Sequence, residues 1–385
     1  MRPVVVTGVG LRCAAGSSPV LPTRAYTVPN GLLGVPAVAA VEGVADDAAF
    51  PDDRKAALAL AAMRDALVGA GSPGRRGVWM GTGLSSLTPD ELARDLYPYL
   101  RDGRFDRVAI ARDLDRDHPA PRRHDPARVA RALAALAGAD RAETSFSACA
   151  AAAQSIAEAA RAVARGDVDQ AFAGGHDSML HPLGLLSFVV LGALSLTVAR
   201  PFDRRRDGFL IGEGAAVFRL EAEQDARSRG APILARFCGA GTSVDAWNVT
   251  APHPEGHGAA LAMARAMRDA GLAAGDVDYV NAHGTGTPVG DRAEALAISR
   301  VLGDVPVSSF KGAVGHTIAA AGAVELALCL ACFRDGIPAS VGCEEPDPEC
   351  PANVVTRAIA TPPRTILSNS FGFGGQNCAV IFGAP

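Results

Sequence analysis

Short apolar runs alternate with alanine-rich stretches along most of the chain. The apolar runs predict strands at Pro3–Val6, Gly77–Met80, Asp169–Ala173, Ala215–Leu220, Ile233–Ala240, Asp278–Asn281, Pro306–Ser309, Thr365–Ser368 and Ala379–Phe382. The alanine-rich stretches predict helices over about 53–70, 126–138, 150–165, 257–274, 291–302 and 317–335. Because both patterns are mixed throughout, we predict an α/β fold.

The same pattern indicates a weak duplication. Each half begins with a strand, carries a reactive side chain in its middle and ends with a pair of strands. We place the division near residues 225–235, which predict a surface turn, so the predicted halves are 1–230 and 231–385. The charged segment 101–125 predicts an exposed loop or flap. The longest apolar stretch, about 183–199, is interrupted by glycine and serine. It is too short to span a membrane, and we expect it to line a buried cavity.

Composition narrows the possible functions. The net charge of -4 and the aromatic content of 5% argue against a nucleic-acid surface. The eight cysteines form no paired CxxC sets, which favours free thiols in a reducing cytoplasm. The first ten residues are too short an apolar run for a secretory signal, and their glycine turn lacks the rest of a dinucleotide-binding motif. The only lysines are Lys55 and Lys311.

Cys149 is the first candidate for chemistry. A short β-type segment precedes it and the alanine-rich stretch Ala150–Ala160 follows, so the thiol is expected on the first turn of a helix. Unpaired N–H groups and the helix dipole favour an anion there, which predicts a lowered pKa and a reactive thiolate. The alternative is that Cys149 is a small buried apolar residue, as most intracellular cysteines are.

A second motif surrounds His283. An apolar strand within Asp278–Asp291 delivers this histidine to its C-terminal end, where α/β proteins bind ligands. The following glycines let the backbone approach a ligand closely, and Thr285 and Thr287 offer hydroxyls to a polar chain. The alternative is a loop histidine that only bonds a carbonyl.

A third motif, within Pro306–Thr317, places His316 where a strand ends and a helix begins. A helix N-terminus disfavours imidazolium, so His316 is expected to be neutral and to donate an N–H hydrogen bond. Glu325, further along that helix, could face back toward Lys311. An exposed lysine and a capping histidine are the alternative for these positions.

The fourth motif, Ser368–Asn377, contains three glycines around Phe371 and Phe373. Its backbone N–H groups could point at an oxyanion, and such a donor typically contributes about 10²–10³ in rate. A plain glycine-rich hairpin is the alternative.

Together these residues resemble the β-ketoacyl synthases of the thiolase superfamily, specifically the elongating Cys-His-His type. The resemblance runs from about residue 140 to 385 and includes Phe172–Gly175, Gly192–Ser195, Arg200–Asp203, Arg206–Phe209 and Gly212–Gly214. Residues 1–10 also fit the opening strand of the family. The resemblance implies a thiolase-like five-layered αβαβα fold of two similar halves, the first carrying the nucleophilic cysteine and the second the two histidines.

The resemblance also implies roles for the reactive residues. Cys149 would accept the acyl chain from an acyl carrier protein thioester. His283 and His316 would stabilise the enolate left by decarboxylation of the malonyl thioester. Lys311, paired with Glu325, would order the site around His283.

Substrate-binding roles follow from the same resemblance. The backbone N–H groups of Cys149 and Phe373 would form an oxyanion hole, and Phe373 would gate the acyl tunnel. Thr285 and Thr287 would bind the phosphopantetheine arm, with Phe371 also contacting substrate. No metal or cofactor is expected in the chain, because the carrier protein brings the phosphopantetheine.

The implied reaction is a decarboxylating Claisen condensation in fatty-acid or polyketide and polyene biosynthesis. A thiolate serves both as nucleophile and as leaving group, and two neutral histidines donate to an enolate without adding a competing base. The expected partners are an acyl carrier protein and a second chain in a homodimer or a heterodimer, in the cytoplasm, with no nucleic acid or membrane. The alternatives are a non-catalytic partner of the chain-length-factor kind and an acyltransferase that does not decarboxylate.

Two regions depart from the family pattern. Residues 14–45 are rich in proline, glycine and alanine and lack the helix usual there, and residues 117–125 lack the usual Pro-Asn pair. Partner choice and chain-length preference therefore stay open. Because the carrier is expected to be acidic, Arg204–Arg206 and Arg122–Arg123 are candidate docking clusters, with solvated surface charge as the alternative.

Overall fold

One mixed sheet of 11 strands runs through the molecule. The computed structural model describes residues 2–51, 53–71, 74–83, 93–115 and 125–385. The strands are β1 (Val4–Arg12), β2 (Arg76–Thr82), β3 (Arg141–Ser145), β4 (Gln170–Ser178), β5 (Glu213–Ala222), β6 (Ala235–Val244), β7 (Tyr279–Asn281), β8 (Pro306–Ser308), β9 (Asn353–Val354), β10 (Thr365–Gly372) and β11 (Gln376–Gly383). Two short hairpins lie outside this sheet, Val28–Pro29 with Ala37–Val38 and Leu100–Arg101 with Arg104–Phe105.

The strand order repeats within the sheet, which runs β9-β8-β7-β10-β11-β6-β1-β5-β4-β2-β3. The first half orders its five strands β1-β5-β4-β2-β3, and the second half orders its strands the same way as β6-β11-β10-β7-β8, with β9 added at the edge. Antiparallel pairing of Val4 with Phe237 joins the halves. This repeat confirms the two similar halves, while a boundary between residues 230 and 231 stays a prediction.

The helices fill the connections between these strands. They are α1 (Arg54–Leu67), α2 (Arg107–Asp115), α3 (Arg128–Ala137), α4 (Ala151–Arg165), α5 (Pro182–Val190), α6 (Glu223–Ser228), α7 (His257–Ala270), α8 (Pro288–Leu302), α9 (Lys311–Val314) and α10 (Ala321–Asp335). All predicted strands and helices form, with shifted ends. The helix predicted to reach residue 274 stops at Ala270 because Gly271 takes the left-handed conformation of a helix cap.

The arrangement has five layers. Helices α4 and α10 lie between the two half-sheets, α1 and α3 cover the first half-sheet, and α7 and α8 cover the second. Small side chains let the central helices approach closely, since a Cβ added at Gly322 would lie only 2.9 Å from that of Ala153. The thiolase-like αβαβα fold is therefore confirmed, and the alanine-rich composition has a structural reason.

Three local predictions are corrected. The apolar stretch 183–199 forms the helix α5 only as far as Val190. This helix buries Leu185 and Phe188 on one face and exposes residues on the other, so the stretch is not buried throughout. The predicted loop 101–125 contains α2, and its residues 116–124 lie outside the described part. The predicted surface turn at 225–235 is partly the helix α6. None of the helices in the described ranges is long and apolar enough to cross a bilayer.

Candidate active site

A strained turn presents Cys149. The 3₁₀ turn Ala148–Ala150 runs directly into α4, and Ala148 adopts φ 47°. The equivalent turn of the second half, Ile318–Ala320, runs into α10 with Ile318 at φ 50°. Positive φ is unfavourable for these residues, so packing must hold both turns in place. The two turns touch each other, which brings the duplicated halves together at the nucleophile.

His316 contacts the sulfur directly. Its Nε2 lies 3.1 Å from the Sγ of Cys149, although the two residues are 167 positions apart. The Nδ1 of His316 accepts the backbone N–H of Ile318 at 3.3 Å. A neutral imidazole that accepts at Nδ1 carries its proton on Nε2. The Nε2–H group therefore donates toward the sulfur, as the position of His316 at a helix start predicts.

His283 completes a three-residue group. Its ring centroid lies 5.3 Å from that of His316, with the rings nearly perpendicular at 82°. The sulfur and one ring nitrogen from each histidine all lie within 4.8 Å of one another. Burial lowers the pKa of both histidines well below the usual value, and the charge of Lys311 lowers it further. Both imidazoles are therefore neutral near pH 7.

The pKa of Cys149 departs from the sequence prediction. Burial raises the pKa of the Cys149 thiol to about 12, although the charge of Lys311 lowers that pKa by a smaller amount. The prediction of a lowered pKa is wrong because removing the thiolate from water outweighs the helix terminus. The resting sulfur is thus a thiol. The thiolate that forms during a reaction is stabilised by the Nε2–H of His316 and by the ammonium of Lys311.

Lys311 and Glu325 form a buried ion pair beneath the histidines. Their Nζ and Oε1 atoms are 2.5 Å apart, and both side chains are almost fully buried. The other oxygen of Glu325 accepts the amide of Asn281 at 3.1 Å. The structure thus brings Glu325 back against Lys311, as the sequence suggested. Removing one partner of such a pair typically costs about 3–5 kcal/mol, so this pair also holds α9 against α10.

Sequence reasoning missed Glu294. This buried residue of α8 accepts the backbone N–H of His283 at 2.8 Å, that of Gly284 at 2.7 Å and the amide of Asn369 at 3.0 Å. It therefore fixes the backbone that carries one catalytic candidate. One signal in the sequence could have found Glu294. The helix that follows the glycine-threonine loop contains several alanines, and Glu294 is an acidic residue on its core-facing side.

Asp291, one turn earlier in α8, supports the same loop. It accepts the N–H groups of Gly286 at 3.0 Å and Phe202 at 2.7 Å. Burial raises the pKa of Asp291 to about 6 and that of Glu294 to about 7. The two carboxyls thus share the task of holding the loop between His283 and Thr287.

The raised pKa of Glu294 predicts a pH-dependent stability. An unfolded glutamate has a pKa of about 4.3, so the native protein binds this proton more tightly than the unfolded chain. The stability from the protonated carboxyl is present at low pH and is lost as pH rises through about 7. The unfolding free energy of wild type minus that of Glu294→Gln should fall by about 3 kcal/mol between about pH 4.5 and about pH 8.

Urea unfolding across this pH range measures the difference. Glu42→Gln, which changes an exposed carboxyl, should show no comparable slope against wild type. A difference that stays flat, or rises with pH, would contradict the raised pKa of Glu294.

A cavity of about 100 Å³ opens beside the sulfur. Its lining includes the predicted site residues Cys149, His283, His316, Thr285, Thr287, Phe371 and Phe373, together with Phe188 and Phe209 from the first half. The hydroxyls of Thr285 and Thr287 lie 3.0 Å apart and bond each other. The structure therefore gathers all of the predicted substrate-contacting side chains around one space.

Aromatic rings form one wall of this cavity. The Phe188 ring lies 6.4 Å from Phe373 and 5.5 Å from Phe209, and Phe209 lies 5.0 Å from His316. Phe371 lies 5.9 Å from His283. Phe373 stands at the outer end and remains 36% exposed, which suits the predicted gate. Phe188 lies in the apolar stretch expected to line a cavity, and Phe209 ends the motif Arg206–Phe209. Neither was assigned to the site, because nothing local distinguishes them from core phenylalanines.

Gly372 brings the glycine-rich turn against the nucleophile. A Cβ at this position would lie 3.1 Å from the backbone nitrogen of Cys149. The absence of a side chain therefore lets the backbone at Phe373 approach that N–H group. This proximity is compatible with the oxyanion hole predicted from these two N–H groups.

The sulfur and the two imidazoles also form a possible donor set for a metal ion. Cysteine and histidine are preferred zinc ligands, and their three donor atoms are close enough to share an ion. The tautomer of His316 opposes this interpretation, since its Nε2 carries a proton and has no lone pair to offer the ion. The arrangement suits hydrogen-bond donation rather than metal binding.

The candidate docking cluster Arg204–Arg206 is paired with carboxylates of the chain itself. Arg204 pairs with Glu345 at 2.7 Å, Arg205 pairs with Asp203 and Glu344, and Arg206 is buried against Asp347. Carboxylates within the chain thus neutralise most of this cluster, which weakens it as a carrier-binding surface. Arg122–Arg123 lies outside the described residues, so that cluster stays a prediction.

Comparison with known proteins adds a family assignment. Residues 39–226 match the model of the β-ketoacyl synthase N-terminal domain, and residues 234–344 match that of the C-terminal domain. The chain is 43% identical over 251 residues to a mitochondrial 3-oxoacyl-[acyl-carrier-protein] synthase of Arabidopsis thaliana. That match covers 61% of this chain and 54% of the relative, so the chain spans about half the length of the curated relatives it matches.

Two solved structures resemble the whole chain. The ishigamide ketosynthase/chain length factor matches with a TM-score of 0.85 and 30% identity, covering 100% of this chain and 99% of that chain. A type II polyketide synthase ketosynthase, bound to a hexaketide and in complex with its acyl carrier protein, matches with a TM-score of 0.87 and 25% identity, again covering 100% and 99%.

Proposed function

Because the chain belongs to the β-ketoacyl synthase family, we propose that it condenses an acyl chain held on Cys149 with malonyl-[acyl carrier protein]. The products are a β-ketoacyl-carrier protein and CO₂. One observation carries the proposal: a cysteine sulfur and two neutral imidazoles, contributed by both halves, surround a single cavity.

Acyl transfer is the first step. The Cys149 thiolate attacks the thioester carbonyl carbon of the acyl-carrier protein, a carbon–sulfur bond forms, and the bond to the carrier sulfur breaks. The proton lost by Cys149 passes to the leaving carrier thiolate. In this proposal the N–H groups of Cys149 and Phe373 stabilise the tetrahedral oxyanion, and the close approach of Gly372 to the Cys149 nitrogen supports that role.

Decarboxylation and condensation follow. The malonyl carbon–carboxylate bond breaks, CO₂ leaves, and the electron pair stays as an enolate whose oxygen receives hydrogen bonds from His283 and His316. The enolate carbon attacks the acyl carbonyl, and the bond to Cys149 breaks. The released thiolate takes up one proton from solvent, which restores the thiol. Neutral histidines suit this step because they donate hydrogen bonds to the enolate oxygen without adding a competing base.

The phosphopantetheine arm enters as part of the carrier substrate, so the chain needs no cofactor of its own in this reaction. Thr285 and Thr287 line the cavity beside both histidines and offer hydroxyls along the path to the sulfur. The backbone of this loop is held by Asp291 and Glu294, so its position is set before the arm arrives.

A second ketosynthase-like chain is part of the proposal, as a copy or as a homologous subunit. Helix α5 is apolar all round, with Leu183, Leu186 and Val190 exposed on its outer face. Edge strand β3 is also exposed over Arg141–Glu143. Both features are typical of surfaces that another chain covers. A cytoplasmic location is proposed from the eight free thiols.

The test uses the purified chain with carrier proteins bearing labelled malonyl or acyl groups. The proposed reaction predicts an acyl adduct on Cys149 by mass spectrometry, release of labelled CO₂, and a β-ketoacyl product. Loading without CO₂ release would favour a non-decarboxylating acyltransferase instead. Neither loading nor release, in the presence of active carriers, would favour a non-catalytic partner subunit.

A further inference from the structure

A buried lysine paired with a carboxylate of β4 plays no part in the proposed chemistry. Lys55, in α1, is 3% exposed, and its Nζ lies 3.4 Å from the Oδ1 of Asp177 in β4. Asp177 is fully buried. A buried ion pair often contributes little net stability compared with apolar side chains, so its presence near a reactive group calls for a functional explanation.

Asp177 reaches the active-site turn directly. Its Oδ2 accepts the backbone N–H of Ala319 at 3.1 Å, three residues after His316 and within the turn Ile318–Ala320. This turn packs against the turn that carries Cys149. The end of β4 touches the turn Ile318–Ala320 and the start of α4, since a Cβ at Gly175 would lie 3.0 Å from the oxygen of Ala319 and 2.5 Å from the Cβ of Ala152. Asp177 therefore anchors the turn Ile318–Ala320, which follows His316 and packs against the turn of Cys149.

The charge of Asp177 also acts on the sulfur. It raises the pKa of Cys149, after burial and alongside Glu325, while Lys311 lowers it. The remaining groups around the sulfur are His283 and His316, which are neutral. Asp177 itself pairs with Lys55 and accepts the backbone N–H of Ser178, and Lys55 also acts on His176. Burial, helped by the charge of Lys55, lowers the pKa of His176 to about 3, so His176 adds no charge at neutral pH.

The use of lysine at this position is informative. The chain has 37 lysine and arginine residues, of which only Lys55 and Lys311 are lysine, and each is buried against a carboxylate whose charge raises the pKa of Cys149. A guanidinium is a planar fork with five donors, whereas an ammonium is a compact point charge, here beside Asp177 and the carbonyl of Gly83. The two lysines thus mark the positions where a single buried positive charge is required.

We propose that Lys55 and Asp177 are positioning residues for Cys149: Asp177 anchors the His316 turn, and Lys55 cancels the negative charge that this anchor places behind the sulfur. The inference rests on the proposed role of Cys149 as the nucleophile. Without Lys55, the carboxylate would oppose formation of the thiolate. Without the charge of Asp177, the thiolate would form more readily.

Alkylation of Cys149 by iodoacetamide tests this pair without any thioester substrate. The rate at fixed pH, followed by mass spectrometry of the Cys149 peptide, depends on the thiolate fraction, partly offset by the lower nucleophilicity of a less basic thiolate. We expect Asp177→Asn to speed alkylation by about 3–10-fold and Lys55→Met to slow it by about 3–10-fold. The double variant should return to within about twofold of wild type.

Glu221→Gln is the matched control. Glu221 is an equally buried carboxylate, paired with Arg219 at 3.2 Å, and neither side chain bonds the turns of Cys149 or His316. It should lose stability in urea without a change in the alkylation rate. Should Lys55→Met not fold, Asp177→Asn decides the matter against this control. Rates that move in the same direction in both single variants, or no further than in Glu221→Gln, would overturn the proposal.

This experiment is independent of the condensation reaction. A chain that fails to release CO₂ but shows opposite rate changes in the two variants would refute the proposed function and retain the role of the ion pair. A chain that condenses normally but shows no change of alkylation rate in the two variants would retain the proposed function and refute the role of the ion pair.

Discussion

Replacing Cys149 with alanine is expected to abolish acyl loading and to reduce condensation by about 10⁴-fold or more. The reason is that no other described thiol shares the cavity with both histidines. A covalent intermediate cannot form without the sulfur, and removal of a nucleophile commonly causes losses of this order. Decarboxylation of malonyl-carrier protein should persist, because the proposed stabilisation of the enolate by His283 and His316 needs no help from sulfur.

Mass spectrometry of the intact protein after incubation with acyl-carrier protein measures the loading, and a condensation assay measures the rate. Cys238→Ala, a half-buried thiol of β6, is the matched control and should load and condense normally. If the Cys149→Ala protein still gained an acyl group on another side chain at the wild-type rate, the assignment of the nucleophile would be wrong.

Replacing His316 with alanine is expected to slow decarboxylation by about 10²–10³-fold while leaving acyl loading of Cys149 largely intact. The Nε2–H of His316 is a fixed donor because its Nδ1 is held by the Ile318 N–H. Alanine removes that donor from the place where the proposed enolate charge would develop. Loading should fall far less, because the charge of Lys311 and the backbone N–H groups remain to support the thiolate and the oxyanion.

Release of labelled CO₂ and formation of acyl-Cys149 are measured on the same protein sample. His257→Ala changes an exposed histidine at the start of α7 and should alter neither rate. Equal losses of loading and decarboxylation in His316→Ala would instead show that His316 mainly supports the sulfur, and the two roles would have to be reassigned.

Most secondary structure could be predicted because it depends on neighbouring residues. The alternation of apolar runs and alanine-rich stretches located the strands and the main helices within a few residues. Helix α5 escaped prediction because its sequence is apolar on all faces, and such a run shows no helical period. Strand β3 was recognised only as a short β-type lead-in, because its polar sequence Arg141–Ser145 has no apolar alternation.

The reactive side chains were also visible in the sequence, since Cys149 precedes an alanine-rich helix and the two histidines follow predicted strands beside glycines. The environment of these side chains was not visible. The pKa of Cys149 was expected to be lowered from its place at a helix start, whereas burial raises it. The roles of Glu294 and Asp177 could not be foreseen, because an acidic residue in a helix or strand does not show from sequence which distant N–H groups it will meet.

The amino-acid sequence by itself determined the α/β pattern, the duplication and the identity of the sulfur and the two imidazoles, because these depend on residue type and short-range spacing. Only the tertiary structure decided that Cys149 meets His316 across 167 residues, that Lys311 and Lys55 each oppose a buried carboxylate, and that the resting sulfur is a thiol. The physical reason is that contact and desolvation arise when separate elements pack, and both govern charge far more strongly than local sequence does.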